Sequence, residues 1–257
     1  MNIVVCVKQI PDPNTPGRLE PGTHLLQRDG VDAVLDPQDE FGIEAALKLV
    51  EAHGGEVRVV SMGPERAVDA IRKAFAMGAS RGVLVSDARL RGSDALTTAK
   101  LLAAAVRRDP FDLVIAGTES TDGYSGVVPQ MVAGMLGVPA VTFARSVSLQ
   151  ADTLLVKRQT ETGTETVEAG LPCLLTVTTG INEPRYPSLR GIMAAKSKPF
   201  ERLTPADLGL DSLGGEAAGQ AVVSVEPAPE RQAGEVFPDE GDGARRIVEF
   251  LGRVKVI

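Results

Sequence analysis

Apolar residues recur along this chain in two rhythms: short runs rich in Val, Ile and Leu, and longer stretches with a spacing of three to four. Asn2 to Lys8 (NIVVCVK) alternates little, which predicts a strand buried on both faces of a parallel sheet, ended by Pro11 and Pro13. His24 to Leu35 reads HLLQ, a turn at Arg28-Asp29-Gly30, then VDAVL, and this predicts a β-hairpin closed by an Asp-Gly turn. Asp36 and Pro37 open a helix that runs to His53, with Phe41, Ile43, Ala46, Leu47 and Val50 on its inner face. Gly54-Gly55 stops it.

Strand patterns over Val57 to Ser61, Gly82 to Val85 and Leu113 to Ala116 then alternate with helical patterns over Pro64 to Met77, Ser93 to Arg107 and through Met131 to Leu136. This order predicts the α/β class, a doubly wound, mostly parallel sheet with helices on both faces. Such sheets bind ligands beyond the carboxyl ends of their strands, here Cys6 to Gln9, Ser61 to Gly63 and Gly117 to Gly126. After Val138 the rhythm changes. VTFARSVSLQ, DTLLVKRQ and TETVEAG are two-period runs split by turn residues, which predicts an antiparallel extension, a change of layer within one domain.

The strand-like run Leu174 to Val177 leads into Ile181 to Pro199, where Pro184 and Pro187 forbid regular structure before Leu189. Leu189, Ile192, Met193 and Lys196 then fall at helical spacing. Leu189, at the tip of that helix, either folds back onto the core or stands out as a docking knob. From Pro205 to Asp242 the chain is rich in Gly, Pro, Ala and acidic residues. Ala244 to Val256 regains a helical pattern through Ile247, Val248, Phe250, Leu251 and Val254. Residues 1–204 therefore read as one α/β domain, and residues 205–257 as a C-terminal arm and helix that wraps a partner.

Composition narrows the function more than the fold. With 257 residues, 43% of them hydrophobic, the chain can fill the core of one large domain. The formal charge of -7, from 27 basic and 34 acidic residues, disfavours nucleic acid and anionic membrane surfaces as partners. No apolar run approaches the roughly 18 residues needed to cross a bilayer. The opening MNIVVCVKQI meets Pro-Asp-Pro instead of a cleavage site, so a cytoplasmic protein is expected. Cys6 and Cys173 lie on separate strand-like runs, as buried thiols do, and His24 and His53 are the two imidazoles, so no metal site is expected.

GTESTDGYSG, residues 117 to 126, is the best anion-binding candidate. It follows a buried strand, precedes a helix, and combines three glycines with Thr118, Ser120, Thr121 and Ser125, so that backbone N–H groups and hydroxyls can meet a phosphate. A simple turn has the same composition. No GxGxxG follows the first strand, no Walker sequence or SGGxDS-type loop occurs, and neither HExxH nor a nucleophile elbow is present. Glu161, Glu165 and Glu168 fit alternation on a solvated strand face. No catalytic residue is expected.

Longer stretches carry a resemblance. VVCVKQIPDP, DEFGIEAALKL, VSMGPERAVDAIRKAFAMGASRGVLVSD and NEPRYPSLRGIMAAK, with ERQAG before the last helix, resemble in this order the electron transfer flavoprotein beta subunits. Residues 156–176 match as well: Lys157 or Arg158, the turn Glu161 to Gly163, Glu165, then Pro172, Leu174, Leu175 and Thr176. The resemblance implies an adenine-nucleotide alpha-hydrolase-like fold and a heterodimer with an alpha subunit that holds most of one FAD. It implies electrons taken from acyl-CoA dehydrogenases and related flavoenzymes and passed to a membrane quinone oxidoreductase. It also implies a structural AMP. Carried over by position, the AMP site would comprise Cys6; Asp36, Pro37, Gln38 and Asp39; Val59, Val60, Ser61 and Met62; and Gly117, Thr118, Glu119, Ser120, Thr121, Asp122, Gly123, Tyr124, Ser125, Gly126, Val127 and Val128. Tyr186, Leu189, Ile192 and Met193 would dock the dehydrogenase.

The match departs at one place. Where AMP-binding relatives read Asp-Asp-Asp-Cys-Asn-Gln-Thr, this chain has Asp122-Gly123-Tyr124-Ser125-Gly126-Val127-Val128, so the side-chain amides near the phosphate are missing. The bifurcating type, with a second FAD in the same cleft, reads Asp-Gly-Asp-Thr-Ala-Gln-Val and shares only the opening Asp122-Gly123. AMP is the leading expectation. A second FAD and a non-redox nucleotide-binding module are the alternatives.

Overall fold

The run Asn2–Val7 (β1) takes the centre of the sheet because both of its faces find cover: Ile3, Val5 and Val7 enter one apolar layer and Val4 the other. The computed structural model describes residues 1–226, 228, 229, 234, 236 and 238–257, so residues 230–233 of the ERQAG stretch lie outside the described residues. Around β1 the sheet is completed by β4 (Glu56–Met62), β5 (Arg81–Val85), β6 (Leu113–Gly117), β7 (Ala140–Gln150), β8 (Thr153–Thr160), β9 (Gly163–Gly170), β10 (Cys173–Val177) and β11 (Glu201–Leu203). Their order is β11-β5-β4-β1-β6-β10-β7-β8-β9. Every pairing from β11 to β7 is parallel, and β7, β8 and β9 pair antiparallel, the predicted extension.

The helices α1 (Pro37–His53), α2 (Val68–Met77) and α5 (Leu189–Ser197) bury their apolar residues in the layer on one face. Those of α3 (Ala95–Arg107) and α4 (Val128–Leu136) fill the other. Caps set the helix limits as the sequence indicates. The Asp36 carboxylate accepts the Gln38 N–H at the start of α1, and Gly54 ends it at a φ of 76°. Close approach fixes one glycine: a Cβ on Gly82 would lie 2.6 Å from Ile71 Cγ2 and 2.8 Å from Phe75 Cζ, so α2 packs on β5 only because that side chain is absent.

Three features differ from the sequence expectation. The hairpin over His24 to Leu35 does not form: β3 (Ala33–Leu35) pairs antiparallel with β2 (Gln9–Pro11), and His24 to Gln27 contributes one bridge, Leu19 to Leu26. The Asp29-Gly30 turn is present, with Gly30 at a φ of 72°, but the partner of VDAVL is the segment following β1, held by the Asp12 N–H to Asp32 carbonyl bond of 2.9 Å. Helix α2 starts at Val68, after a single 3-10 turn, Glu65–Ala67. Strand β11 was not anticipated. Three residues long, it is held at the sheet edge by β5 and by burial of Leu203.

The chain divides into two compact units, Met1–Val222 and Val223–Ile257. Residues 205–222, which composition assigns to the arm, belong to the first, where Leu208, Leu210 and Leu213 pack against the α3 and α4 layer. The second unit contains α6 (Gly243–Arg253), on which Ile247, Val248 and Phe250 are exposed. Removing residues 205–257 should therefore lower Tm by about 5–10 °C relative to removing 223–257 alone, because three leucines leave the core. Paired melts of the two truncations check this; equal Tm values would place residues 205–222 outside the folded core.

Candidate functional site

Beyond the carboxyl ends of β1, β4 and β6, the loop Gly117 to Val128 meets the N-terminus of α1. The meeting point is Asp36. Its carboxylate caps α1 through the Gln38 N–H at 3.0 Å and also accepts the Thr121 N–H at 2.7 Å and the Thr121 hydroxyl at 2.6 Å. Asp39, one turn on, accepts the Lys8 N–H at 2.7 Å and a further hydrogen bond from the Gly117 backbone. A Cβ on Gly117 would stand 3.1 Å from Asp39 Oδ1 and 3.3 Å from Gln38 Cβ, so helix and loop approach this closely because position 117 is glycine.

Burial dominates the electrostatics. It pushes Asp39 well above the ordinary carboxylate range, with the neighbouring Asp36 adding to the rise. The Cys6 thiol is pushed up to about 12, first by burial and then by Asp39, which leaves it neutral and unsuited to nucleophilic attack. Asp122 goes the other way. Burial would raise it, but Lys8 Nζ at 2.6 Å and the Arg28 guanidinium hold its carboxyl below the usual value. Lys8 Nζ also lies 3.2 Å from Ser120 Oγ.

These contacts sort the residues singled out from the sequence. Asp36, Asp39, Gly117, Thr121 and Asp122 are brought together with half-buried Gln38 and Ser120, and Pro37 is exposed beside them. Val59 and Val60 are wholly buried in opposite layers, so their side chains are turned away from a ligand, while Met62 is half-buried. Two of the four loop hydroxyls are directed into the protein, Thr118 to the Val177 carbonyl at 3.0 Å and Thr121 to Asp36. Ser125 and Tyr124 are exposed, Tyr124 at a φ of 46°, and Gly126 at 62° turns the chain towards Val127 and α4. No side chain caps α4. The buried Ser61 Oγ and Gln130 Oε1 have no hydrogen-bond partner among the described residues. Glu119 and Val128 are half-buried, and Glu161, Glu165 and Glu168 lie exposed.

Lys8 falls within the Cys6 to Gln9 strand end marked from sequence but was not carried into the site, and Arg28 was missed. Lys8 directly follows β1, a position that signals a ligand-facing end, whereas Arg28 lies in an irregular excursion and nothing local marks it.

The other candidate surface is the loop before α5. Tyr186, Leu189 and Met193 are 95%, 83% and 73% exposed, and Ile192 is also exposed, so Leu189 does not fold back onto the core. The helix is nevertheless firmly seated: Ser188 caps it, Ala195 is buried, Arg72 Nη1 donates to the Lys196 carbonyl at 2.8 Å, and Lys198 Nζ to that of Ala79 at 2.7 Å. Among the described residues, no cluster of three or more His, Cys, Asp or Glu side chains could hold a metal, and no helix is long and apolar enough to cross a membrane.

Comparison with known proteins gives a consistent result. The family model for the electron transfer flavoprotein domain matches residues 23–208. A protein named electron transfer flavoprotein subunit beta from Mycobacterium leprae is 44% identical over 264 residues, covering 100% of this chain and 99% of the relative. One of the same name from Megasphaera elsdenii is 35% identical, covering 97% and 96%. The caffeyl-CoA reductase-Etf complex subunit CarD from Acetobacterium woodii is 37% identical over 241 residues, 92% of each chain.

The Asp122 ion pairs set a pH dependence. Because the folded pKa is lowered, their stabilisation is complete above the unfolded value of about 3.9 and disappears as pH falls through the folded one. Lys8 and Arg28 are each more than a third exposed, so Asp122→Asn should cost only about 1–2 kcal/mol at pH 7. The deficit should shrink below about pH 4. Denaturant titrations at pH 7 and pH 3 check both statements; a deficit that persists unchanged at pH 3 would show that charge is not what Asp122 contributes.

Proposed function

The chain belongs to the electron transfer flavoprotein family, and on that premise we propose that it is the beta subunit of a heterodimeric electron carrier whose alpha subunit holds most of one FAD. The heterodimer takes electrons from acyl-CoA dehydrogenases and related flavoenzymes in the cytoplasm and delivers them to a membrane quinone oxidoreductase. FAD supplies the redox chemistry when bound. This chain contributes docking and scaffolding, since electron transfer depends on approach and orientation and needs no acid, base or nucleophile. The observation that carries the reading is the outward Leu189 on a seated helix, with Tyr186 and Met193 beside it. On the second unit, the exposed Ile247, Val248, Phe250 and Val254 support a role for α6 in covering the alpha subunit.

The cleft at Gly117 to Val128 fits a structural AMP. The uncapped start of α4 offers backbone N–H groups to a phosphate, and Ser125 adds an exposed hydroxyl. Gly123 keeps the exposed turn of the loop free of a side chain, and the unpartnered Ser61 Oγ and Gln130 Oε1 leave polar capacity at the end of β4 and in the first turn of α4. Asp36, Pro37, Gln38 and Asp39 would line the α1 side and Cys6 the end of β1. The bifurcating reading, with a second FAD in this cleft, draws support from Asp122-Gly123 and from the relative named for a caffeyl-CoA reductase-Etf complex.

The purified heterodimer should release one FAD and one AMP on denaturation, measured by chromatography and mass spectrometry; two FAD and no AMP would establish the bifurcating arrangement. For docking, burial of a leucine side chain contributes about 1.5–3 kcal/mol. Leu189→Ala should therefore raise the apparent Kd for an acyl-CoA dehydrogenase by roughly tenfold to a hundredfold. Tm and the rate of flavin reduction by dithionite should not change. Unchanged affinity, or a Tm loss of several degrees, would make Leu189 a packing residue.

A further inference from the structure

The segment that presents Tyr186 and Leu189 is tied to α1 chiefly through Arg185. Arg185 Nε and Nη2 reach the two oxygens of Glu44 at 2.7 and 3.1 Å, while Nη1 and Nη2 reach those of Glu51 at 2.6 and 3.1 Å. The Arg185 N–H donates to Glu44 as well, at 3.2 Å. Glu44 and Glu51 lie two turns apart on one stripe of α1, so the planar guanidinium bridges them as a fork. The Glu44 side chain is only 3% exposed, which buries this half of the clamp. Asn182 Nδ2 adds a bond of 3.0 Å to the Phe41 carbonyl.

At the other end of the loop, α5 is fixed to α2. A Cβ on Gly191 would lie 2.5 Å from the Ala76 carbonyl oxygen, so this contact is as close as backbones allow. Residues 182–185 and 191–198 are thus both anchored, on different helices, and residues 186–190 project between them. Exposed aromatic and leucine side chains on an untethered loop would collapse onto the nearest apolar surface or sample many conformations. Here Pro184 and Pro187 limit the backbone while the double carboxylate clamp fixes where the projection starts.

On the docking role proposed above, we infer that Arg185 is a positioning residue for the electron donor: by bridging Glu44 and Glu51 it preorganises the Tyr186–Leu189 tip, so that its ordering cost is met in folding and not at encounter. A salt bridge that served stability alone would alter Tm and leave docking unchanged.

The test uses the complete FAD-containing heterodimer. Arg185→Lys keeps a cation beside Glu44 but cannot span both carboxylates, and Glu51→Gln removes only the exposed half of the clamp, without stranding a buried charge. Amide hydrogen exchange over residues 183–191 should be about tenfold faster in Arg185→Lys, the scale expected for loss of a charge-assisted contact. The KM for the complex in acyl-CoA dehydrogenase turnover should rise several-fold, with kcat and dithionite reduction unchanged. Glu51→Gln should move both readouts less, in the same direction, and carries the test if Arg185→Lys fails to fold. Leu189→Ala is the reference, expected to raise KM without changing exchange. Unchanged exchange in both clamp variants overturns the inference, as does unchanged KM in both when Leu189→Ala raises it. If Leu189→Ala itself has no effect on KM, the docking reading fails, and exchange alone then decides whether the clamp orders the tip.

Discussion

One carboxylate joins the two halves of the cleft. Asp36 caps the first long helix and simultaneously binds the backbone and hydroxyl of Thr121, eighty-five positions later. A helix N-terminus needs an acceptor for its free N–H groups, and a loop crossing the end of a parallel sheet needs partners for its own. Meeting both needs with one buried group fixes where helix and loop stand, and Gly117 keeps the approach possible. Asp39 repeats the device one turn later, joining the Lys8 and Gly117 backbones. The geometry of the proposed nucleotide cleft therefore depends on these two side chains.

The same economy explains why the cleft holds so little reactive chemistry. Cys6 stays neutral because desolvation and the neighbouring Asp39 raise its thiol pKa, and Asp122 is occupied by two cations. Thr118 and Thr121 point their hydroxyls inward. The backbone at the start of α4 and a few small side chains remain, suited to holding an anion. The outer surface is arranged in the opposite way. On the loop before α5, charged and backbone contacts hold the base while apolar side chains face outward, an arrangement that favours contact with another protein.

The strand and helix rhythm, the caps at Asp36 and Gly54, the antiparallel change after Val138 and the loop-to-helix transition at Leu189 were legible because each arises from neighbouring residues and local periodicity. Even the exposure of Leu189 was present in the sequence as one of two options. What could not be read locally was pairing. VDAVL carries a good hairpin signal, yet its partner is Gln9–Pro11, because the chain returns past β1 before α1 begins and closing there covers both segments. Residues 205–222 look like a tether by composition, but three leucines spaced among polar residues are enough to pack them onto the α3 and α4 layer.

The sequence by itself determined the long helices and central strands, their order, the class of fold and the family, since these follow from periodicity, capping chemistry and ordered motifs. Only the tertiary structure decided that Lys8 and Arg28 converge on Asp122, that Arg185 bridges Glu44 and Glu51, and which loop hydroxyls remain free for a ligand. Those outcomes depend on where side chains far apart in the sequence come to lie once the sheet is assembled. Burial then determines which charges must be paired, and no local pattern in the chain encodes that choice.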